Sequence, residues 1–179
     1  MGEQAGMRNR ASLLTTERLA LKALEDSDRE ALLRMAADDR IKRTYMLPDF
    51  ADPAQADAFF RRMQALCASD AHFVYGIYRD GELIGFLNDC GTDGGRVELG
   101  YFIDPEHWNH GYAAEALRAA IDELFRLGFD CVAAGYFEEN PASRRVMEKC
   151  GMRATGETSV IAYRGASHRC LYCEIRRNP

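Results

Sequence analysis

No apolar run in this sequence comes near the ~20 residues that a membrane-crossing helix needs, so no membrane span is expected. Nor is there a surplus of positive charge: 23 Lys and Arg stand against 28 Asp and Glu, a formal net charge of -5. General nucleic-acid binding calls for a basic face and is not expected, although a local cationic pocket is compatible with that balance. Residues 1–12 carry Arg8 and Arg10 but no apolar core, so they do not read as a signal peptide but as a flexible tail. A cytoplasmic location is the default expectation. Repeats, low-complexity tracts and linkers are missing too, so residues 13–179 are expected to form one domain, long enough to bury a core unaided. Neither the G-x-x-x-x-G-K-[ST] phosphate loop nor the G-x-G-x-x-G fingerprint occurs. There is one C-x-x-C, Cys170 to Cys173, and no second. It falls in a strand-like stretch, where positions three apart face opposite sides, so no metal or redox centre is expected.

What is present reads as α/β. Leu19 and Leu21 alternate with polar residues in a first strand, and Ser27 to Glu30 has the capping-box spacing that opens a helix. Asp52-Pro53 opens a second helix, whose apolar positions Ala56, Phe59, Phe60, Met63, Leu66 and Cys67 follow the helical period. Between them, Thr44 to Phe50 is an apolar loop, read either as core cover or as the wall of a substrate pocket. Strands follow at Phe73–Tyr78 and Leu83–Leu87, joined by Asp80-Gly81, a strong hairpin signal. After the Asp93-Gly94-Gly95 turn, Val97 to Ile103 is the fourth strand. A helix from Tyr112 to Leu127, ended by Gly128, leads to a nearly all apolar fifth strand, Cys131 to Phe137. Asn140-Pro141 caps and starts the last helix, Gly151 ends it, and two closing strands complete the chain.

The junction between the fourth strand and its helix carries the chemistry. Helix N-termini present unpaired N–H groups and the positive end of the dipole, and their natural guest is an anion, most often phosphate. Here Gly111 permits close backbone approach, Ala113 and Ala114 leave room, and Asn109 tolerates a left-handed conformation.

Trp108-Asn109-His110-Gly111-Tyr112-Ala113-Ala114-Glu115-Ala116 resembles the pyrophosphate-binding motif of the GNAT N-acetyltransferase superfamily, in its RimJ/RimL-type branch. Thr15 to Leu19 resembles that branch's T-E-R-L opening, and Glu139 to Met152 its E-N-x-x-S-R-R-V-x-E-K-x-G-F segment. The resemblance spans Thr15 to Ile175. It implies a GNAT-like α/β domain with a mixed sheet of about seven strands, four main helices, and fourth and fifth strands that splay apart. It implies acetyl-CoA as co-substrate, no metal, and an amine-bearing acceptor: a peptide N-terminus or a small amine. Homodimerisation is left open. In such a protein the pantetheine arm lies in the splay, against the backbone of Phe102 and Ile103 and the side chain of Asn140. The phosphates rest on Asn109, His110, Gly111, Tyr112 and Ala113. Asn109 and His110 depart from the branch, which usually has Gly and Lys or Arg there. An imidazole is mostly neutral at pH 7, so CoA affinity is expected to rise as pH falls toward 6.

Amine acetylation needs a neutral amine, a polarised carbonyl and a stabilised leaving thiolate. Glu98, on the fourth strand beside the splay, is the first candidate for the base, acting through water; a half-exposed strand residue is the plainer reading. The resemblance assigns Ser143 as thiolate acid and pantetheine contact, since the Tyr that many relatives place one turn later is Met147 here. Tyr136 is the fallback donor, or else a core aromatic. The alternative to an enzyme is a catalytically silent CoA-binding sensor or structural domain.

Overall fold

Element by element, the computed structural model describes residues 7–177. Strands β1 (Leu13–Thr15) and β2 (Ala20–Lys22) precede helices α1 (Arg29–Ala37), α2 (Asp39–Lys42) and α3 (Pro53–Ala68). Three antiparallel strands follow, β3 (Val74–Arg79), β4 (Glu82–Asp93) and β5 (Arg96–Ile103). Then come α4 (Tyr112–Arg126), β6 (Cys131–Phe137), α5 (Pro141–Lys149), β7 (Arg153–Tyr163) and β8 (Ala166–Arg176). They form one sheet in the order β1-β2-β3-β4-β5-β6-β8-β7, antiparallel throughout except where β5 meets β6. No helix among the described residues is long and apolar enough to cross a membrane.

The alternation of each strand assigns its residues to two cores. On one face Leu87, Leu99 and Val132 pack with Leu117, Leu124 and Met147 of α4 and α5. On the other, Val74, Phe86 and Phe102 pack with Leu32, Met35 and Phe60 of α1 and α3. Both hairpin turns take the left-handed geometry their residues favour: Asp80 and Gly81 have φ of 49° and 84°, Gly94 and Gly95 of 52° and 89°.

Three expectations need correction. There are eight strands among the described residues rather than about seven, because β1 is too short to leave a periodic signal; the four main helices expected are α1, α3, α4 and α5, and α2 is a single added turn. Residues 7–12 are not a flexible tail: Met7 is buried, the Arg10 guanidinium lies 4.8 Å from the Tyr75 ring centroid, and the Ala11 amide donates to Glu123 at 2.6 Å. Residues 1–6 lie outside the described residues. Finally, the helix start at Ser27 shifts. A 3-10 turn over Asp26–Asp28 precedes α1, and Asp28 accepts the Glu25 amide at 2.7 Å. The Tyr78 hydroxyl also donates to Asp28, and this tertiary partner selects Asp28 over the sequence-local pair.

Gly85 holds β4 close to β5. A Cβ there would lie 2.5 Å from the Phe102 carbonyl oxygen and 2.8 Å from Ile103 Cδ1. Backbone cannot yield as a flexible side chain does, so Gly85→Ala is expected to cost ~1–3 kcal/mol, the usual range for overpacking. Urea unfolding checks this, as a lowered midpoint at unchanged slope.

Candidate active site

β5 and β6 pair in parallel at only four positions, Arg96↔Cys131 through Leu99↔Ala134. Beyond Leu99 and Ala134 each strand pairs only on its far side, β5 with β4 and β6 with β8. The backbone of Gly100 to Ile103 that faces β6 therefore has no strand partner across the gap. In a sheet such groups seek another partner, and an extended amide-bearing chain is the kind that supplies one.

The gap opens toward the N-terminus of α4. Asp104, buried at 1% exposure, fixes the turn between: it accepts the Glu106 amide at 3.1 Å and Arg34 Nη2 at 2.6 Å. Arg34 and the Glu106 amide hold its carboxyl below the usual range against the cost of burial. The Trp108 indole donates to the Ile103 carbonyl at 2.7 Å, tying the turn to its strand. Asn109 and Gly111 both adopt left-handed backbone, φ 64° and 84°. The first backbone bond of α4 runs from the Glu115 amide to the Gly111 carbonyl, and no side chain caps the helix. The amides of Tyr112, Ala113 and Ala114 are thus left free at the positive end of a 15-residue helix.

His110 is exposed and stacks on Tyr112 with ring centroids 5.5 Å apart. The cation nearest the cradle is Arg18, which arrives from the β1–β2 turn. It donates to the His110 carbonyl at 3.0 Å, pairs with Glu115 at 2.6 Å and covers the Tyr112 ring at 4.7 Å. Sequence reading gave Arg18 no part at this site. The signal available was Arg18 in the first motif and Glu115 in the second, oppositely charged.

On the β6 side of the same opening, Asn140 caps α5, its Oδ1 accepting the Ser143 amide at 3.2 Å. Ser143 Oγ lies 3.0 Å from the hydroxyl of Tyr101, a residue that sequence reading did not single out. Tyr136 is buried in the core on the α5 side, and burial raises its phenol pKa. Glu98 lies on the opposite face of the sheet, one residue before the pairing ends. Half-buried, its carboxyl pKa is pushed up by burial, with Arg96 opposing and Glu157 adding to the rise. Around it are Cys90, Cys170 and Tyr172, whose ionisation its charge opposes. Cys170 Sγ packs against Gly135 on this face, whereas Cys173 enters the other core.

The Thr44–Phe50 loop covers part of this second face. Tyr45 sits edge-on to Phe102 at 5.0 Å, donates to Asn88, and has its ring over Gly100. The Tyr163 hydroxyl, from β7, binds the loop backbone at Leu47 through both amide and carbonyl. The loop is core cover through buried Leu47, and its Tyr45 packs over Gly100, two residues along β5 from Glu98.

Residues 18–153 match the family model described as acetyltransferase (GNAT) domain. An uncharacterised N-acetyltransferase of Bacillus subtilis (strain 168), YoaA, is 31% identical over 160 residues, 87% of this chain and 90% of the relative. Among solved structures, a GNAT-family acetyltransferase from Bacillus anthracis superposes with a TM-score of 0.79 at 24% identity, over 92% of this chain and 98% of the other. The RimL ribosomal α-N-protein acetyltransferase in complex with coenzyme A gives 0.80 at 16% identity, over 92% and 97%. At these identities the two structures establish a shared fold.

Proposed function

The chain belongs to the GNAT acetyltransferases, and from that premise we propose that it transfers an acetyl group from acetyl-CoA to a primary amine, on a peptide N-terminus or a small molecule, by direct attack in a ternary complex. The observation that carries this reading is the gap beyond Leu99 and Ala134 running into the uncapped start of α4. It offers an unpaired strand edge for the pantetheine amides and free amides for the pyrophosphate. Asn109 to Ala113 hold the phosphates, Phe102, Ile103 and Asn140 orient the arm, and acetyl-CoA supplies the activated acyl group.

Free alkyl amines have a pKa near ~10, so a proton must be removed before attack. Glu98 serves, directly or through water; its raised pKa brings a carboxylate nearer the working range of a base. Ser143 faces the departing sulfur from the opposite side. The chain's net negative charge and the carboxylates of Glu98 and Glu157 favour approach of cationic acceptors. A thiol-release assay with acetyl-CoA and a panel of amines, peptide N-termini included, tests the reading. Turnover on one class is expected; tight CoA binding with no turnover on any amine would indicate the silent sensor instead.

A further inference from the structure

Ser143 is a weak candidate for its assigned task, because an alkyl hydroxyl hardly acidifies. Its surroundings supply what it lacks. Tyr101 leaves β5 within the unpaired segment, and its hydroxyl crosses to the first turn of α5. There it lies 3.0 Å from Ser143 Oγ and 3.4 Å from the Ser143 carbonyl. One phenol therefore spans from the strand on one side of the gap to the helix on the other, on the α4–α5 face and opposite Glu98.

We infer that Tyr101 is a positioning residue for the reaction: its hydroxyl orients and polarises Ser143 Oγ–H, and the pair stabilises the sulfur as it leaves. This rests on the acetyl-transfer reading above. When the amine nitrogen forms its bond to the acetyl carbon, the C–S bond breaks and the electron pair stays on sulfur. Two protons leave nitrogen through Glu98 and water, one from the ammonium before attack and one once the C–N bond has formed; one passes to solvent and one ends on sulfur as CoA departs, so the count closes. Neither hydroxyl has to give up its proton. They act as an oxyanion hole acts, with donors fixed before the charge develops.

Three features fit that role. Burial raises the phenol pKa of Tyr101, so it stays a protonated donor across the working range. The groups that face it are uncharged: Ser143 from α5, Cys150 just past the end of that helix and Cys173 from β8, the two thiols themselves pushed up by burial. The Ser143 main chain is locked as well, since its amide bonds to Asn140. A hydroxyl held at both ends of its residue has little freedom left to lose when sulfur arrives.

The test needs no acceptor. CoA is bound to the full chain, and its thiolate is followed by ultraviolet absorbance as pH is raised, with the CoA-free protein as blank. All six cysteines of the chain have thiols shifted upward by burial, which keeps that blank low. A pair that stabilises sulfur anion lowers the thiol pKa of bound CoA. Tyr101→Phe should raise it by about one unit, a ~10-fold loss in ionisation, while the CoA dissociation constant at pH 6 holds. Ser143→Ala should raise the thiol pKa by a similar amount, and the double variant should shift it no further than either alone, because the two hydroxyls act as one unit. An unchanged thiol pKa in Tyr101→Phe, or shifts that add in the double variant, overturns the inference. Failure of the unaltered protein to bind CoA would instead overturn the acetyl-CoA reading beneath it.

Discussion

Gly111→Glu is expected to weaken acetyl-CoA binding by at least ~100-fold while leaving the chain folded. Gly111 stands at φ 84° as the cap of α4, and a Cβ there would sit 3.5 Å from Arg18 Nη2. A glutamate placed at that point puts a carboxylate where the free amides await a phosphate. At an effective dielectric of ~20, two like charges ~4 Å apart repel by about 4 kcal/mol, which converts to two or three decades in affinity. The left-handed backbone costs any L side chain ~1–2 kcal/mol. In partial return, a negative charge at a helix N-terminus interacts favourably with the dipole. Calorimetric titration measures the binding, and a thermal melt shows that the fold persists. Gly111→Ala separates the causes, since it keeps the strain without the charge and should lose far less. Normal acetyl-CoA binding by Gly111→Glu would remove the phosphates from this junction altogether.

Gly111 is legible in the chain alone, whereas its neighbour Arg18 is not. Gly111, Asn140 and the turn glycines declared themselves because their backbone demands are local: a left-handed φ, a cap, a proline at the first helical position. β6 read as a buried strand because seven consecutive apolar or small residues leave little else to form. The gap between β5 and β6 was different. Nothing in the residues marks where two parallel strands stop pairing, and only the resemblance brought it into view. Arg18 and Tyr101 stayed hidden for the same reason. Each acts on a partner far away in sequence, Glu115 and Ser143, and each read locally as an ordinary strand or turn residue. The docking of Met7 to Ala11 is likewise tertiary, since Arg10 and the Ala11 amide meet Tyr75 and Glu123, partners far along the chain.

Glu98→Gln is expected to lower kcat by ~10²–10⁴, the usual contribution of a positioned acid–base group, with little change in CoA affinity because Glu98 lies on the face of the sheet opposite Tyr101 and Ser143. Its pH dependence follows from the sign of its shift. Burial raises the carboxyl above its ordinary value, so activity in the unaltered protein should climb with pH through that raised pKa. The glutamine variant should lose this ascending limb. Stability moves the other way. A carboxyl with a folded-state pKa above its unfolded value contributes stability that is fully present below the unfolded pKa and lost as pH rises through the folded one. The stability of Glu98→Gln relative to the unaltered protein should therefore improve between pH 4 and pH 7, read as a difference in denaturant midpoint at each pH. The neighbours offer a finer test. Arg96 pulls the Glu98 pKa down and Glu157 pushes it up. Arg96→Gln should then move the ascending limb to higher pH and Glu157→Gln to lower pH, while the stability curves move in step. A limb that stays put in both variants would assign it to some other group, and a Glu98→Gln protein with full kcat would take the proton from the amine by a route that does not pass through this strand.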